Sequence, residues 1–343
     1  MLQPEPMLGK LSLYNSVFPG RQRLPFGESP QTAYNFSLYN LNAMFASHEI
    51  SGAEKSAEKF RVLVIGDSSV WGTLLKPEET LAGQLDNRQI EMNGQMKTLE
   101  VYNLGYPTLS LAKDVLLLNR GLAYKPDLIL WMTTLESFPV SKQSASPLLD
   151  ANLEEFNALM DQVDTKLTWQ KETETPAWQQ KTLTSQRRAL MDLFRLQMYG
   201  FMWAATGIDQ DYPVDYPPAQ IDLDPDNTFQ GVEGIFPENQ LAWELLETGI
   251  ELAGDVPVLL VNEPILISDG QNSDIRYNFY YPRETYDAWR ADLNQRCERA
   301  GWNCMDLWDL LPVSDFTNSA IHYNSSGGQK IALEILKTLP DIK

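Results

Sequence analysis

Of the 343 residues, only two are histidines, His48 and His322, and one of them stands where chemistry could use it. The stretch RVLVIGDSSVWG, residues 61–72, is an apolar run that stops at Gly66 and is followed at once by Asp67, Ser68 and Ser69. A serine hydroxyl is a weak nucleophile until a base takes its proton, and imidazole, which titrates near neutrality, is the usual base. His322, in AIHYNSSGG, comes after the last apolar run and just before a closing amphipathic segment. His48, in MFASHEIS, precedes every strand signal and reads as a surface or packing residue.

For Ser68 and His322 to meet, the chain must gather its strand ends. Short continuous apolar runs alternate with amphipathic segments: RVLVIGDSS, LEVYNLGYP, PDLILWMTT, VPVLLVNEPI and NCMDLWDLL read as strands. KPEETLAGQLDNRQI, SLAKDVLLLNRGLAY, ENQLAWELLETGIELAG, RETYDAWRADLNQRCERA and QKIALEILKTL read as helices. That rhythm predicts an α/β fold, a three-layer α/β/α sandwich around a five-stranded parallel sheet. Open parallel sheets hold ligands where the C-terminal ends of their strands gather. Asp67-Ser68-Ser69, Asn103-Leu104-Gly105, Thr133-Thr134-Leu135-Glu136 and the His322 loop all fall at such ends.

Gly-Asp-Ser after the first strand, a glycine loop in VYNLGYP one βα unit later, and a late His before the final helix resemble the SGNH (GDSL-type) hydrolases. The resemblance covers residues 60–137 and 240–340 and implies their flavodoxin-like fold. It implies that Ser68 is the nucleophile and His322 its base, with the Ser68 and Gly105 N–H groups facing the oxyanion. Where the family carries Gly-x-Asn-Asp after its third strand, this chain has WMTTLESF, so Thr133 or Thr134 is left to donate to the oxyanion. Where the family places Asp three residues before the His, this chain has Ser319. Asn318 is then the first candidate to orient the ring and Asp315 the second, with Asp67 organising the turn. The implied activity is that of a serine esterase or acyltransferase on an O-acylated carbohydrate or lipid. The alternative is a catalytically degenerate relative that binds a glycan or a membrane-bound O-acyltransferase.

Composition narrows the partners. The formal net charge of −19 opposes nucleic-acid binding, and no residue spacing suits a metal. No cofactor is expected. Hydrophobic residues at 43% and charged residues at 21% can build a sizeable core. Residues 1–59 read as an extended arm, residues 60–137 and 237–343 as the α/β core, and residues 138–236 as a mainly helical insertion. Within the insertion, RRALMDLFRLQMYGFMWAATG is either a helix packed over the core or a lid or docking surface. The loop after the fourth strand offers Arg276 and Arg283 to clamp a carboxylate or phosphate and Tyr277 or Tyr280 to stack on a sugar; alternatively, Asp274 and Glu284 pair those arginines. Cys297 and Cys304 are placed either for a disulfide or as two small buried residues. No apolar run is long enough to cross a bilayer and no signal-peptide pattern opens the chain. An extracytoplasmic setting is expected over a cytoplasmic one, with a membrane anchor upstream of the arm compatible with it.

Overall fold

A computed structural model describes residues 41–92, 94–146, 148–149, 152–162, six positions between 191 and 206, and 216–342. The described residues fall into two compact units. One comprises those up to Glu54 together with those of Ser144–Tyr212; the other comprises Lys55–Gln143 and Pro213–Lys343.

In the first unit, Leu41–Ser47 forms α1 and Glu49–Gly52 a 3₁₀ turn. This end of the expected extended arm is therefore helical, since no Pro or Gly interrupts residues 41–51. His48 caps the turn, its Nδ1 accepting from the Ile50 N–H at 3.3 Å. The rest of the expected arm, residues 1–40, lies outside the described residues, as does most of the apolar segment 187–207. Within that segment, Met191, Phe194, Met198 and Met202 are helical and exposed.

The second unit carries the sheet. Its strands are β1 (Lys59–Ile65), β2 (Gln89–Met92), β3 (Gln95–Asn103), β4 (Leu128–Thr133), β7 (Val258–Asn262) and β8 (Asn303–Asp306), with a small hairpin of β5 (Thr228–Phe229) and β6 (Val232–Glu233) apart from them. The sheet order is β2-β3-β1-β4-β7-β8. β3, β1, β4, β7 and β8 are mutually parallel, and they are the five strands legible as apolar runs. β2 is an added edge strand, antiparallel to β3.

That edge strand comes from a segment whose pattern reads as one helix. Pro77–Glu79 is instead a 3₁₀ turn, and α3 (Leu81–Leu85) starts afresh at Thr80, whose hydroxyl accepts from the Gly83 N–H. Asn87, at φ +60, turns the chain out of the helix. The Asp86 carboxylate then accepts from the Val101 N–H of β3, leaving residues 89–92 to pair.

Alternation along the central strands sorts side chains into two layers. Val62, Val64, Leu130 and Met132 share a core with Leu81 and Leu85 of α3 and with Ile331 and Ile335 of α9 (Ser325–Thr338). On the other face are α4 (Leu111–Leu122) and α7 (Trp243–Ala253), which pack together; between them in sequence come α5 (Val140–Gln143) and, in the first unit, α6 (Leu153–Gln162). A Cβ at Gly121 of α4 would lie 2.7 Å from Leu63, and one at Gly249 of α7 would lie 2.5 Å from the Trp131 ring. These helices therefore sit close to the strands, and the result is an α/β/α sandwich. Residues 216–236, expected within the insertion, are bonded to the sheet-bearing unit: Ala219 N–H donates to Thr317 O at 2.8 Å, and Leu223 N–H to Gln271 O at 3.0 Å. Beside β8 runs α8 (Arg283–Ala300), joined to it by a disulfide between Cys297 and Cys304.

The connections leave β1 toward β3 on one side and continue toward β4, β7 and β8 on the other. The reversal puts a crevice at the C-terminal end of β1, between the loops after β3 and β4. Ser68 lies there.

Candidate active site

Ile65 ends β1, and the chain turns at once into a single helical turn, α2 (Ser68–Trp71). Gly66 is required at the bend: a Cβ there would stand 2.5 Å from Val70 Cγ2 and 3.2 Å from Met132. Asp67 caps the turn, its Oδ1 accepting from the Ser69 N–H at 2.8 Å. Buried Lys113 of α4 braces the bend, donating from Nζ to Gly66 O at 2.7 Å and lying 2.5 Å from Asp114. Ser68 is thus held half-buried on a short, firmly anchored turn.

His322 reaches it from the far end of the sequence. Its loop is pinned at three levels: Phe316 bridges to Tyr323, Thr317 N–H donates to His322 O at 2.8 Å, and Asn324 N–H donates to Asp315 O at 2.8 Å. The ring lies between two partners. Nε2 is 2.8 Å from Ser68 Oγ, and Nδ1 is 2.9 Å from Asn318 Oδ1. With the proton on Nδ1 donated to the Asn318 carbonyl, Nε2 presents a lone pair to the Ser68 hydroxyl, the tautomer a general base needs. Burial lowers the His322 pKa, opposed by the charge of Asp67. Asp315 is committed elsewhere, 2.5 Å from Lys330 Nζ, so the ring's partner is Asn318.

Two of the expected oxyanion donors, the Gly105 N–H and the Thr134 hydroxyl, are already bonded within the chain. Gly105 packs against α2 so closely that a Cβ would lie 2.4 Å from Trp71 N. Its N–H, however, donates to Asn103 Oδ1 at 2.9 Å, while Asn103 Nδ2 donates to Val70 O at 2.8 Å. Asn103 thereby ties the end of β3 to the Ser68 turn. Thr134 is fully buried and its hydroxyl is 2.8 Å from the Tyr281 hydroxyl. Thr133 Oγ1 is buried without a partner at the C-terminal end of β4.

The expected anion clamp is bonded within the chain. Arg276 is buried and its guanidinium donates to the carbonyls of Asp226, Thr228, Asn278 and Phe279. Arg283 donates from Nε to Ser273 O at 2.6 Å and lies over the Tyr277 ring, whose hydroxyl donates to Asp287. The loop is satisfied internally, through carbonyls rather than through Asp274 and Glu284.

Glu263, which directly follows β7, is the residue sequence reasoning missed. It is buried beneath the serine turn, with Ser69 Oγ donating to its Oε2 at 2.5 Å. A signal was present, because Asn262-Glu263 is a polar strand end like the four noted above.

Among the described residues no cluster of His, Cys, Asp and Glu could hold a metal ion, and no helix is long and apolar enough to cross a membrane. No protein-family model and no curated protein matches the chain. Among solved structures it aligns with the aryl esterase of M. smegmatis at 12% identity and a TM-score of 0.36, over 83% of this chain and 100% of that one. It also aligns with a carbohydrate acetylesterase family member from Sinorhizobium meliloti at 12% identity and a TM-score of 0.37, over 82% of this chain and 97% of that one.

Proposed function

We propose that this chain is a divergent SGNH-like serine esterase or acyltransferase working through an acyl-Ser68 intermediate. One observation carries the reading: the unbroken relay from Ser68 Oγ through His322 to Asn318, at 2.8 and 2.9 Å. His322 Nε2 takes the hydroxyl proton as Ser68 Oγ attacks the ester carbonyl. The tetrahedral intermediate then collapses, the C–O bond to the alcohol breaks, and the alcohol leaves with the proton from Nε2. Water, or a carbohydrate hydroxyl, repeats the steps in reverse to release the acyl group. Asn in place of a carboxylate orients the ring without adding charge.

The substrate class in this reading is an O-acylated carbohydrate or lipid. The Cys297–Cys304 disulfide supports an oxidising, extracytoplasmic setting, where a membrane-bound acyltransferase would be a fitting partner. A fluorophosphonate probe and p-nitrophenyl acetate test the chemistry. The native chain is expected to be labelled and to release nitrophenol, and Ser68→Ala to do neither; labelling that persists in the variant would remove Ser68 from the role.

A specific observation favours a second reading, a non-catalytic glycan- or protein-binding descendant. The Gly105 N–H and the Thr134 hydroxyl, two donors an oxyanion would need, are bonded within the chain. Absence of labelling in both proteins would select it.

A further inference from the structure

The orienting residue of the relay is neutral, yet the ring it holds must become a cation when it takes the Ser68 proton. No charge comes from Asn318, but two carboxyls lie on the inner side of the site. There, Asp67 is joined to Ser68 in sequence and faces Glu263. Ser69 links the two carboxyls, its N–H donating to Asp67 Oδ1 at 2.8 Å and its hydroxyl to Glu263 Oε2 at 2.5 Å. Glu263 Oε1 is buried with no donor pointed at it. An ionised carboxylate would leave that oxygen unsatisfied beside a second negative charge, whereas a protonated one donates to Asp67 and satisfies both.

We propose that Asp67, kept company by a protonated Glu263, supplies the negative charge that stabilises the His322 imidazolium, in place of a carboxylate at position 319, where this chain has Ser319. Asp67 is thus a positioning residue that acts through the ring, and the idea rests on the reading of Ser68 and His322 given above. Burial, and then the charge of Asp67, hold the Glu263 pKa well above the usual carboxylate range. Asp67 in turn opposes the burial that lowers the His322 pKa. The other ionisable groups that sense Asp67 are Asp114, Tyr280 and Tyr323. Burial pushes Asp114 up to about 6 against the pull of Lys113, with which it forms a buried pair. The phenols of Tyr280 and Tyr323 also sense Asp67, and burial raises both.

The test is a titration of the two histidines by NMR in the full chain labelled with [¹³C,¹⁵N]histidine, with His48→Gln assigning the signals. Asp67→Asn keeps an oxygen to cap the turn and is expected to move the His322 midpoint to lower pH. Glu263→Gln, a neutral mimic of the protonated acid, is expected to leave it in place. Should Asp67→Asn fail to fold, Asp67→Ser retains a capping oxygen and carries the same expectation. An unmoved midpoint in the folded Asp67 variant overturns the proposal. So does an equal fall in Glu263→Gln, which would put the charge on Glu263. The rate of fluorophosphonate labelling against pH is read alongside, with Asp67→Asn expected to label several-fold more slowly at its plateau and with a lower midpoint. A native chain that is not labelled at all defeats the esterase reading, while the NMR titration still decides the role of Asp67.

Discussion

His322 Nδ1 stands 2.9 Å from the side-chain oxygen of Asn318 on an edge of the ring where Asn318 itself is exposed. A proton on Nδ1 is therefore donated to the neutral carbonyl of an exposed residue. An isosteric Asn318→Asp substitution would keep the bond and add a charge. The His322 midpoint should move to higher pH, and the plateau of fluorophosphonate labelling should rise by about tenfold or more. Asn318→Ala, which frees the ring to turn, should lower it. Labelling rates measured across pH for the three proteins check both directions.

Gly105 matters for its lack of a side chain. A Cβ would lie 2.4 Å from Trp71 N and 2.8 Å from Val70 C, both backbone atoms of the turn that carries Ser68. Because backbone cannot swing aside as a side chain can, Gly105→Ala should cost about 1–3 kcal/mol and displace Ser68 from His322. Urea unfolding would give the first quantity, and loss of labelling in protein that remains folded would reveal the second.

What the sequence made legible depended on how local each signal was. The parallel strands announce themselves as continuous apolar runs because both faces of the sheet are covered, and Ser68 and His322 stand out because they terminate or follow such runs. β2 was concealed: QIEM is short, partly exposed and preceded by good helix formers, and only its pairing with β3 makes it a strand. The partners of Gly105 and Thr134 were beyond reach for a different reason. Asn103 and Tyr281 compete for the very groups an oxyanion would use, and that competition is settled by tertiary contact. Glu263 needed still more, since β4 lies between β1 and β7 in the sheet. Its meeting with Asp67 follows from strand order, and its proton from burial.

The disulfide closes a loop between positions seven apart in sequence. It joins α8, which ends at Gly301 in the left-handed region, to the strand that immediately follows. Closing so short a loop removes little unfolded-state entropy, so Cys297→Ser with Cys304→Ser should cost about 2.5 kcal/mol. For a unit of this size that is a fall of about 5–10 °C in Tm. A thermal scan of the native chain with reductant should match that of the double variant, and one without reductant should lie above both.

Arg276 separates a structural part from a binding one. Four carbonyls receive its guanidinium, two of them from the segment that carries Asp226 and Thr228. Arg276→Met would leave those oxygens without a donor, at a cost of about 3 kcal/mol or more, and would loosen residues 226–228 from the loop after β7. The expected signature is a lower unfolding midpoint with KM for p-nitrophenyl acetate unchanged in the folded fraction. A raised KM at unaltered stability would restore Arg276 to substrate binding.

Glu263 makes the stability of the fold depend on pH in a definite sense. Its carboxyl is held well above the ordinary value of 4.5 by burial and by Asp67. Below that value both folded and unfolded chains hold the proton, and this group contributes nothing to a pH slope. Above it the unfolded chain releases the proton while the native chain retains it, so stability falls as pH rises, by up to about 1.4 kcal/mol per pH unit. The fall ends only where the native carboxyl itself ionises. Glu263→Gln has no proton to release in either state, so its stability relative to the native chain should increase steadily from about pH 5 to pH 7. Urea unfolding of the two proteins across that range reads the difference directly, and parallel curves would mean that Glu263 is ionised in the folded protein.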